Sequence, residues 1–558
     1  MQLSGAEIII KLLERQGVKT IAGIPGGANL PMYDALGQSD AIKHILTRHE
    51  QGAGFIAQGM ARVSAQPAVF FATSGPGATN ALTAIADAKL DSIPIICITG
   101  QVPLSMIGTD AFQEVDTYGL SVPITKHNYL VRSIEELLEV IPNAFRIASS
   151  GRPGPVVVDI PKDVQMAMLE IDEWPEPGNR DRGPELINGE VERAAKMINQ
   201  AEKPIFYLGG GVIQSDSSPD ALALAEKASI PSVLTLMGLG VVPSDHSLNL
   251  GMLGMHAARY TNLALEECDL LIAVGVRFDD RATGKVPEFC PKAKIIHIDI
   301  DPSELDKIKN AHATVTGDVA DILKALLPLV DKRERSRWLS DVDCLKEAQP
   351  MLIPGADDPA SPYGVILEAA ALAGEDAIVC TDVGQHQMRT AQAYPFKHPR
   401  QWLTSGGLGT MGFGMPAAIG ASFAAPDKTV ICFTGDGSIM MNIQDLATAM
   451  EHDVNIKIIL TNNNALGLVR QQQDLFYGKR YYASDYSRRV DFIKIADGFG
   501  IDTYDFTGCV DPASMLAEAL AQPGPALIHV PISPDEPVYP MVPPGAPNSE
   551  MIGGKINV

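Results

Sequence analysis

The chain reads as an α/β protein built from three doubly wound parallel-sheet units. Three observations predict this. Short β-branched runs alternate with amphipathic stretches of helix length, a pattern that implies parallel sheets with crossover helices. A chain of 558 residues is too long for one hydrophobic core. Two stretches break the alternation: 170–189 is rich in Pro, Gly, Asp and Glu, and 331–364 carries a charge cluster followed by turn residues, so both read as linkers.

These breaks leave an N-terminal unit at 1–168, a central unit at 190–330 and a C-terminal unit at 362–535. Strands are predicted at 68–72, 93–99 and 156–160 in the first, at 205–208, 270–274 and 295–298 in the second, and at 430–433 and 456–460 in the third. The tail 536–558 is different. Its stretch VYPMVPPGAPNS holds too many prolines for a helix or central strand, so it should run extended over the surface or close over a site.

Composition narrows the partners. A formal net charge of −23 repels a nucleic-acid backbone and an anionic membrane surface alike. The longest apolar runs fall far short of the ~18–20 residues that span a bilayer, and no basic-then-apolar leader opens the chain, so a cytoplasmic location is expected. The seven cysteines (97, 268, 290, 344, 380, 432 and 509) are scattered and never in C-x-x-C spacing, which predicts buried reduced thiols.

The strongest chemical signal follows the run 430–433, where Gly435-Asp436-Gly437-Ser438 comes at once. A strand ending in a glycine-rich turn before a helix offers backbone N–H groups to a phosphate. Asn463 stands at the end of the next apolar run. A carboxylate and an amide on neighbouring strand ends are hard oxygen donors suited to Mg²⁺, which is usually completed by substrate phosphate and water.

Asp436 and Asn463 in this arrangement resemble the thiamine diphosphate motif. From Ile24-Pro25-Gly26-Gly27 to the 541–549 tail the chain resembles the acetohydroxyacid synthases. The resemblance implies that Asp436, Asn463 and the Ala465 carbonyl hold Mg²⁺. It implies that Val383, Gly384, Gln385, His386, Gly409, Gly435, Gly437, Ser438 and Gly467 surround the diphosphate. Glu50, in Arg48-His49-Glu50-Gln51-Gly52, would be the acid that hydrogen-bonds the aminopyrimidine N1′, favouring the tautomer that deprotonates C2. Pro25, Thr73, Pro76 and Asn80 would line that pocket, and Met411 would wedge the cofactor into a bent shape.

The same resemblance implies pyruvate and 2-ketobutyrate as substrates, with Arg277 receiving the acceptor's carboxylate as a bidentate fork and Phe112, Gln113 and Lys162 beside it. Gly209-Gly210-Gly211 is by itself a weak pyrophosphate signal, because it is not G-x-G-x-x-G. By resemblance Arg152, His256, Arg277, Asp299 and Asp318 join those glycines in holding FAD. The overall reaction needs no electron transfer, so that flavin would be structural.

One departure stands out. Gln472 occupies a position where many members carry Trp, a ring that favours 2-ketobutyrate as acceptor, so mainly acetolactate is expected. The resemblance also implies that Glu50 and Asp436 meet only across a homodimer interface, or within a tetramer built from such dimers. With no regulatory domain visible, feedback control would need a small partner subunit. A pyruvate oxidase-like enzyme or another thiamine diphosphate carboligase is the alternative reading.

Overall fold

The computed structural model describes residues 2–554. Three six-stranded sheets, with every neighbouring pair of strands parallel, form the body of the described residues, and a short antiparallel pair, Gln2–Ser4 with Met168–Glu170, accompanies the first. The α/β class expected from the sequence is therefore observed.

The N-terminal sheet comprises Thr20–Gly23, Lys43–Leu46, Ala68–Ala72, Ile95–Gln101, His127–Leu130 and Val156–Pro161. In space they run second, first, third, fourth, sixth, fifth. The C-terminal sheet, Ile378–Thr381, Trp402–Leu403, Val430–Gly435, Ile456–Asn462, Asp502–Asp505 and Ala526–Pro531, repeats that order. The central sheet differs. Its strands Pro204–Leu208, Ser232–Leu234, Asn249–Met252, Leu270–Val274, Lys294–Asp299 and Ala313–Thr316 run third, second, first, fourth, fifth, sixth.

Central strands such as Ala68–Ala72, Val430–Gly435 and Ile456–Asn462 are buried along their whole length, which is why their sequences are mainly apolar rather than alternating; buried Lys457 is an exception, its Nζ donating to the Gly524 carbonyl at 2.7 Å. Between the second and third strands of the N-terminal sheet lies helix Glu50–Ser64; its counterpart in the C-terminal sheet is Gly414–Ala424. These two helices pack directly on one another. A Cβ on Gly59 would stand 2.1 Å from the Ala417 carbonyl oxygen, and one on Gly420 would stand 2.0 Å from that of Ile56, so only glycine permits the approach.

Residues 171–187 contain no regular element, in keeping with a linker. The stretch 331–364 departs from expectation: it holds helix Ser336–Ala348, whose Trp338 and Val342 join the central unit's core. Trp338 Nε1 donates to the Pro204 carbonyl at 3.0 Å. Charged residues on the helix's outer face mask this apolar pair at i and i+4 in the sequence.

The tail is docked rather than free. Val538, Met541 and Val542 are buried. Val542 N donates to the Met255 carbonyl at 2.8 Å, and Asn548 donates to that of Ala282 at 2.8 Å. Residues 555–558 of the predicted tail lie outside the described residues.

Candidate active site

In an open parallel sheet a crevice forms at the carboxyl ends of the two strands where the order reverses. In the C-terminal sheet those strands are Ile378–Thr381 and Val430–Gly435. Val383, Gly384, Gln385 and His386 leave the first; Asp436, Gly437 and Ser438 leave the second; Asn463 and Ala465 follow the adjoining strand. The loops are pressed together. A Cβ on Gly435 would lie 2.9 Å from the His386 ring, and one on Gly467 would lie 2.3 Å from Gln385 Oε1 and 2.7 Å from Asn463 Nδ2. Ser438 Oγ donates to the Val383 carbonyl at 2.8 Å.

Asp436 Oδ2 and Asn463 Oδ1 converge on a single donor, the Ala465 N–H, at 3.1 and 3.0 Å. Two hard oxygens aimed at one point, in the turn that also carries the Ala465 carbonyl, fit an Mg²⁺ that shares its shell with a diphosphate. Burial pushes the Asp436 carboxyl up to about 6. It pushes the His386 ring down to about 3, leaving a neutral imidazole whose Nε2 has no partner. Asp382, not singled out from sequence, accepts from Gly412 N at 2.7 Å and Thr434 Oγ1 at 3.2 Å, fixing the loop that carries Gly409 and Met411.

The N-terminal sheet reverses between Thr20–Gly23 and Ala68–Ala72, and the loops there bear different chemistry. Pro25 follows the first strand and Thr73 the second, and a Cβ on Gly26 would stand 2.6 Å from the Thr73 side chain. Glu50 is 8% exposed and opens helix Glu50–Ser64. Asn80 Nδ2 donates to its Oε2 at 3.0 Å. Pro76 is the first residue of helix Pro76–Asp91, in whose opening turn Gly77 lies against Glu50. The Thr73 and Ser74 hydroxyls are buried without a partner. These unpaired groups around a buried acid fit a polar heterocycle such as the aminopyrimidine.

The two half-sites face away from each other within one chain. Helices Glu50–Ser64 and Gly414–Ala424 run antiparallel, since Gly59 meets Ala417 while Ile56 meets Gly420. Arg62 sits over the Phe413 ring, 5.1 Å from its centroid, at one end of the pair, and Glu50 lies at the other. Twelve helical residues at ~1.5 Å each separate Glu50 from Arg62, about 18 Å.

A cavity of about 560 Å³ lies between the central and C-terminal units. Gly210, Gly211, Arg277, Asp299 and Asp318 from the central unit line it, as do Arg152 and His256. Val383, Gly409 and Gln472 close its other side. A Cβ on Gly211 would stand 2.6 Å from Gly275 Cα, which explains the glycine at the central sheet's own reversal point. Gly209 is not among the lining residues; its N–H donates to Val274 at 3.1 Å and ties the two strand ends together. Arg152 pairs with Glu304 at 2.7 Å and Arg180 with Asp318 at 2.6 Å. Burial pushes Asp299 up to about 6 and His256 down to about 4. Volume, glycine floor and cations at strand ends fit a dinucleotide such as FAD.

Phe112, Gln113 and Lys162 do not line this cavity with Arg277 and Gln472. Phe112 is 87% exposed, and Gln113, at φ 59°, packs on Gly75. Their loop is held by Gln101, whose Nε2 donates to the Val115 carbonyl and to buried Asp159, both at 3.0 Å. Asp159 also accepts from Thr99 at 2.6 Å, and burial pushes it up to about 7. Gln471 was equally silent in sequence: its amide exchanges two hydrogen bonds with Val538, at 2.9 and 3.0 Å, and clamps the tail. Neither residue belongs to a motif, and each works through a partner remote in sequence.

Fold and half-sites together define a thiamine pyrophosphate enzyme. Three family descriptions match in chain order: the N-terminal TPP binding domain over residues 3–120, the central domain over 191–326 and the C-terminal TPP binding domain over 382–530. The chain is 60% identical over 552 residues to the acetolactate synthase isozyme 1 large subunit of Escherichia coli (strain K12), covering 99% of this chain and 98% of that one. It is 45% identical over 550 residues to the isozyme 2 large subunit of the same organism, covering 99% of both chains. With a probable acetolactate synthase large subunit of Methanocaldococcus jannaschii it shares 45% over 557 residues, 97% of this chain and 94% of the relative. The chain belongs to the acetolactate synthase large-subunit family.

Proposed function

We propose that this chain is the catalytic subunit of an acetohydroxyacid synthase, which decarboxylates pyruvate and joins the two-carbon fragment to a second 2-keto acid, the first common step toward the branched-chain amino acids. The observation that carries the reading is the pairing of two half-sites: a buried glutamate on one sheet, and a carboxylate–amide oxygen pair at the matching reversal point of the other. Thiamine diphosphate, when bound, supplies the thiazolium ring that stabilises negative charge as carbon dioxide leaves.

Asp436, Asn463 and the Ala465 carbonyl would hold Mg²⁺, and the Gly435–Ser438 turn, Gln385 and His386 would hold the diphosphate. Glu50 would hold a proton toward the aminopyrimidine ring when the cofactor is bound, and Met411 would pack against the cofactor. Arg277 binds the acceptor's carboxylate in a planar, two-point contact. Gln472, on the other side of the same cavity, lacks the large apolar face that would select 2-ketobutyrate, which supports acetolactate as main product. Arg152, Gly210, Gly211, Asp299 and Asp318 would hold FAD in the same cavity as a structural group, and the docked tail covers the site.

The ~18 Å between Glu50 and the Met411 end of the helix pair supports a homodimer in which each site takes its glutamate from one chain and its metal ligands from the other. Phe112, Gln113 and Lys162 would then reach Arg277 of the second chain. A small regulatory subunit would be the carrier of any feedback control. No helix of the described residues is long and apolar enough to cross a membrane, and a cytoplasmic location accords with that.

The test is a product assay with pyruvate, thiamine diphosphate and Mg²⁺, with and without FAD, under anaerobic conditions. Acetolactate formation that requires FAD is expected. Oxygen- or quinone-dependent acetate formation would instead make the chain an oxidase.

A further inference from the structure

Helix Pro76–Asp91 joins two places described separately above. Its first turn, with Pro76 and Asn80, stands beside Glu50. Its last residues, Leu90 and Asp91, followed by Ser92, line the 560 Å³ cavity, where Ser92 Oγ accepts from Arg152 Nε at 2.8 Å. Two acids on one face of this helix, Asp87 and Asp91, have side chains only 0% and 1% exposed. A single cation faces both: Arg62 lies 2.8 Å from Asp91 and 3.8 Å from Asp87.

One guanidinium for two carboxylates leaves a negative charge to be met by other donors, and all of those come from one stretch of the C-terminal unit. Gly406 N and Gly407 N donate to the two Asp91 oxygens at 3.0 and 2.7 Å. Thr410 Oγ1 donates to Asp87 Oδ2 at 2.7 Å, and Ser405 Oγ donates to the same oxygen. Thr410 N donates to Ser405 Oγ at 2.8 Å, closing the loop on itself. This loop lines the cavity from Ser405 to Gly409 and leads directly into Met411.

A buried ion pair is weak as a source of stability, because desolvation offsets its attraction and apolar replacements are often as stable. Its distinctive effect is geometric: a carboxylate that takes the N–H groups of successive residues fixes their path. We propose that Asp87 and Asp91, oriented by Arg62, are positioning residues that set the path of residues 405–410 and thereby the placement of Met411. The cofactor wedge of the C-terminal unit is then registered by a helix of the N-terminal unit in the same chain. The inference rests on the thiamine diphosphate reading given above.

The full-length chain would be compared with Asp91→Asn, Thr410→Val and Thr410→Ser by hydrogen–deuterium exchange and by steady-state acetolactate formation over a range of thiamine diphosphate. Asp91→Asn should speed exchange across 405–411 without changing it in strand Ile95–Gln101. It should raise the half-saturating thiamine diphosphate about tenfold and lower kcat by a similar factor, as loss of an outer-shell partner commonly does, with the pyruvate KM unchanged. Thr410→Val should give a smaller effect of the same kind and Thr410→Ser should restore wild-type behaviour; this pair decides the matter if Asp91→Asn does not fold. Exchange that rises equally through the N-terminal sheet, or a loop and cofactor saturation that do not change, would overturn the proposal. A wild-type chain that makes no acetolactate would remove the functional reading instead, while the exchange data would still report whether Asp91 fixes the loop.

Discussion

The N-terminal and C-terminal sheets share one strand order and differ in what they place at the reversal point. One presents a buried glutamate, Glu50, with Asn80 and two unpaired hydroxyls. The other presents Asp436 and Asn463 converging on a glycine-lined turn. On the proposed reading the same backbone crevice would carry proton chemistry in one unit and metal–phosphate chemistry in the other; topology supplies the location and side chains the function. Because the equivalent helices pack antiparallel, the two crevices lie at opposite ends of the pair, and the proposed homodimer is what would bring one of each together.

The comparison can be broken most severely at Glu50. If this unit handles a proton and not the metal, Glu50→Gln should lower acetolactate formation by about 10²–10⁴-fold, the range of acid–base contributions, while calorimetry still detects thiamine diphosphate and Mg²⁺ binding. Asp436→Ala should do the reverse and abolish metal-dependent cofactor binding. Equal loss of cofactor binding in both variants would erase the distinction.

A second effect belongs to the acceptor side. Gln472→Trp adds a large apolar face to the cavity that holds Arg277. It should raise the preference for 2-ketobutyrate over pyruvate by about 1–3 kcal/mol, read from product ratios at equal acceptor concentrations. An unchanged ratio would place the acceptor elsewhere.

The smallest effect concerns pH and sharpens the N-terminal half alone. Asp159, raised to about 7 by burial, takes up a proton more readily in the folded chain than in the unfolded one. Its favourable contribution is complete below the unfolded carboxylate value and is lost as pH rises through about 7. Asp159→Asn, which cannot ionise, should thus gain stability relative to wild type between pH 4 and pH 8, by at most on the order of 4 kcal/mol. Denaturation midpoints of both proteins across that range would measure it, and a constant difference would contradict it.

How much of this was legible in the sequence follows the same division. Strand runs and the glycine–aspartate turn are local, so the α/β class and the Asp436–Asn463 pair could be read directly. Glu50 needed the resemblance, because a lone glutamate opening a helix is ordinarily a capping residue. Helix Ser336–Ala348 was hidden by its charged face, and Asp87, Asp91, Asp159, Asp382 and Gln471 act through partners far along the chain. No local spacing encodes such contacts; they exist only once the units pack.

The central claim is that a working site takes its acid from one chain and its metal ligands from another. Co-expressed Glu50→Gln and Asp436→Ala chains, each inactive alone, provide the direct measurement. Random pairing makes half of the dimers mixed, each with one intact site of two, so acetolactate formation should return to about a quarter of wild type. Mixed preparations that stay as inactive as either parent would place both residues' work in a single chain and contradict the account.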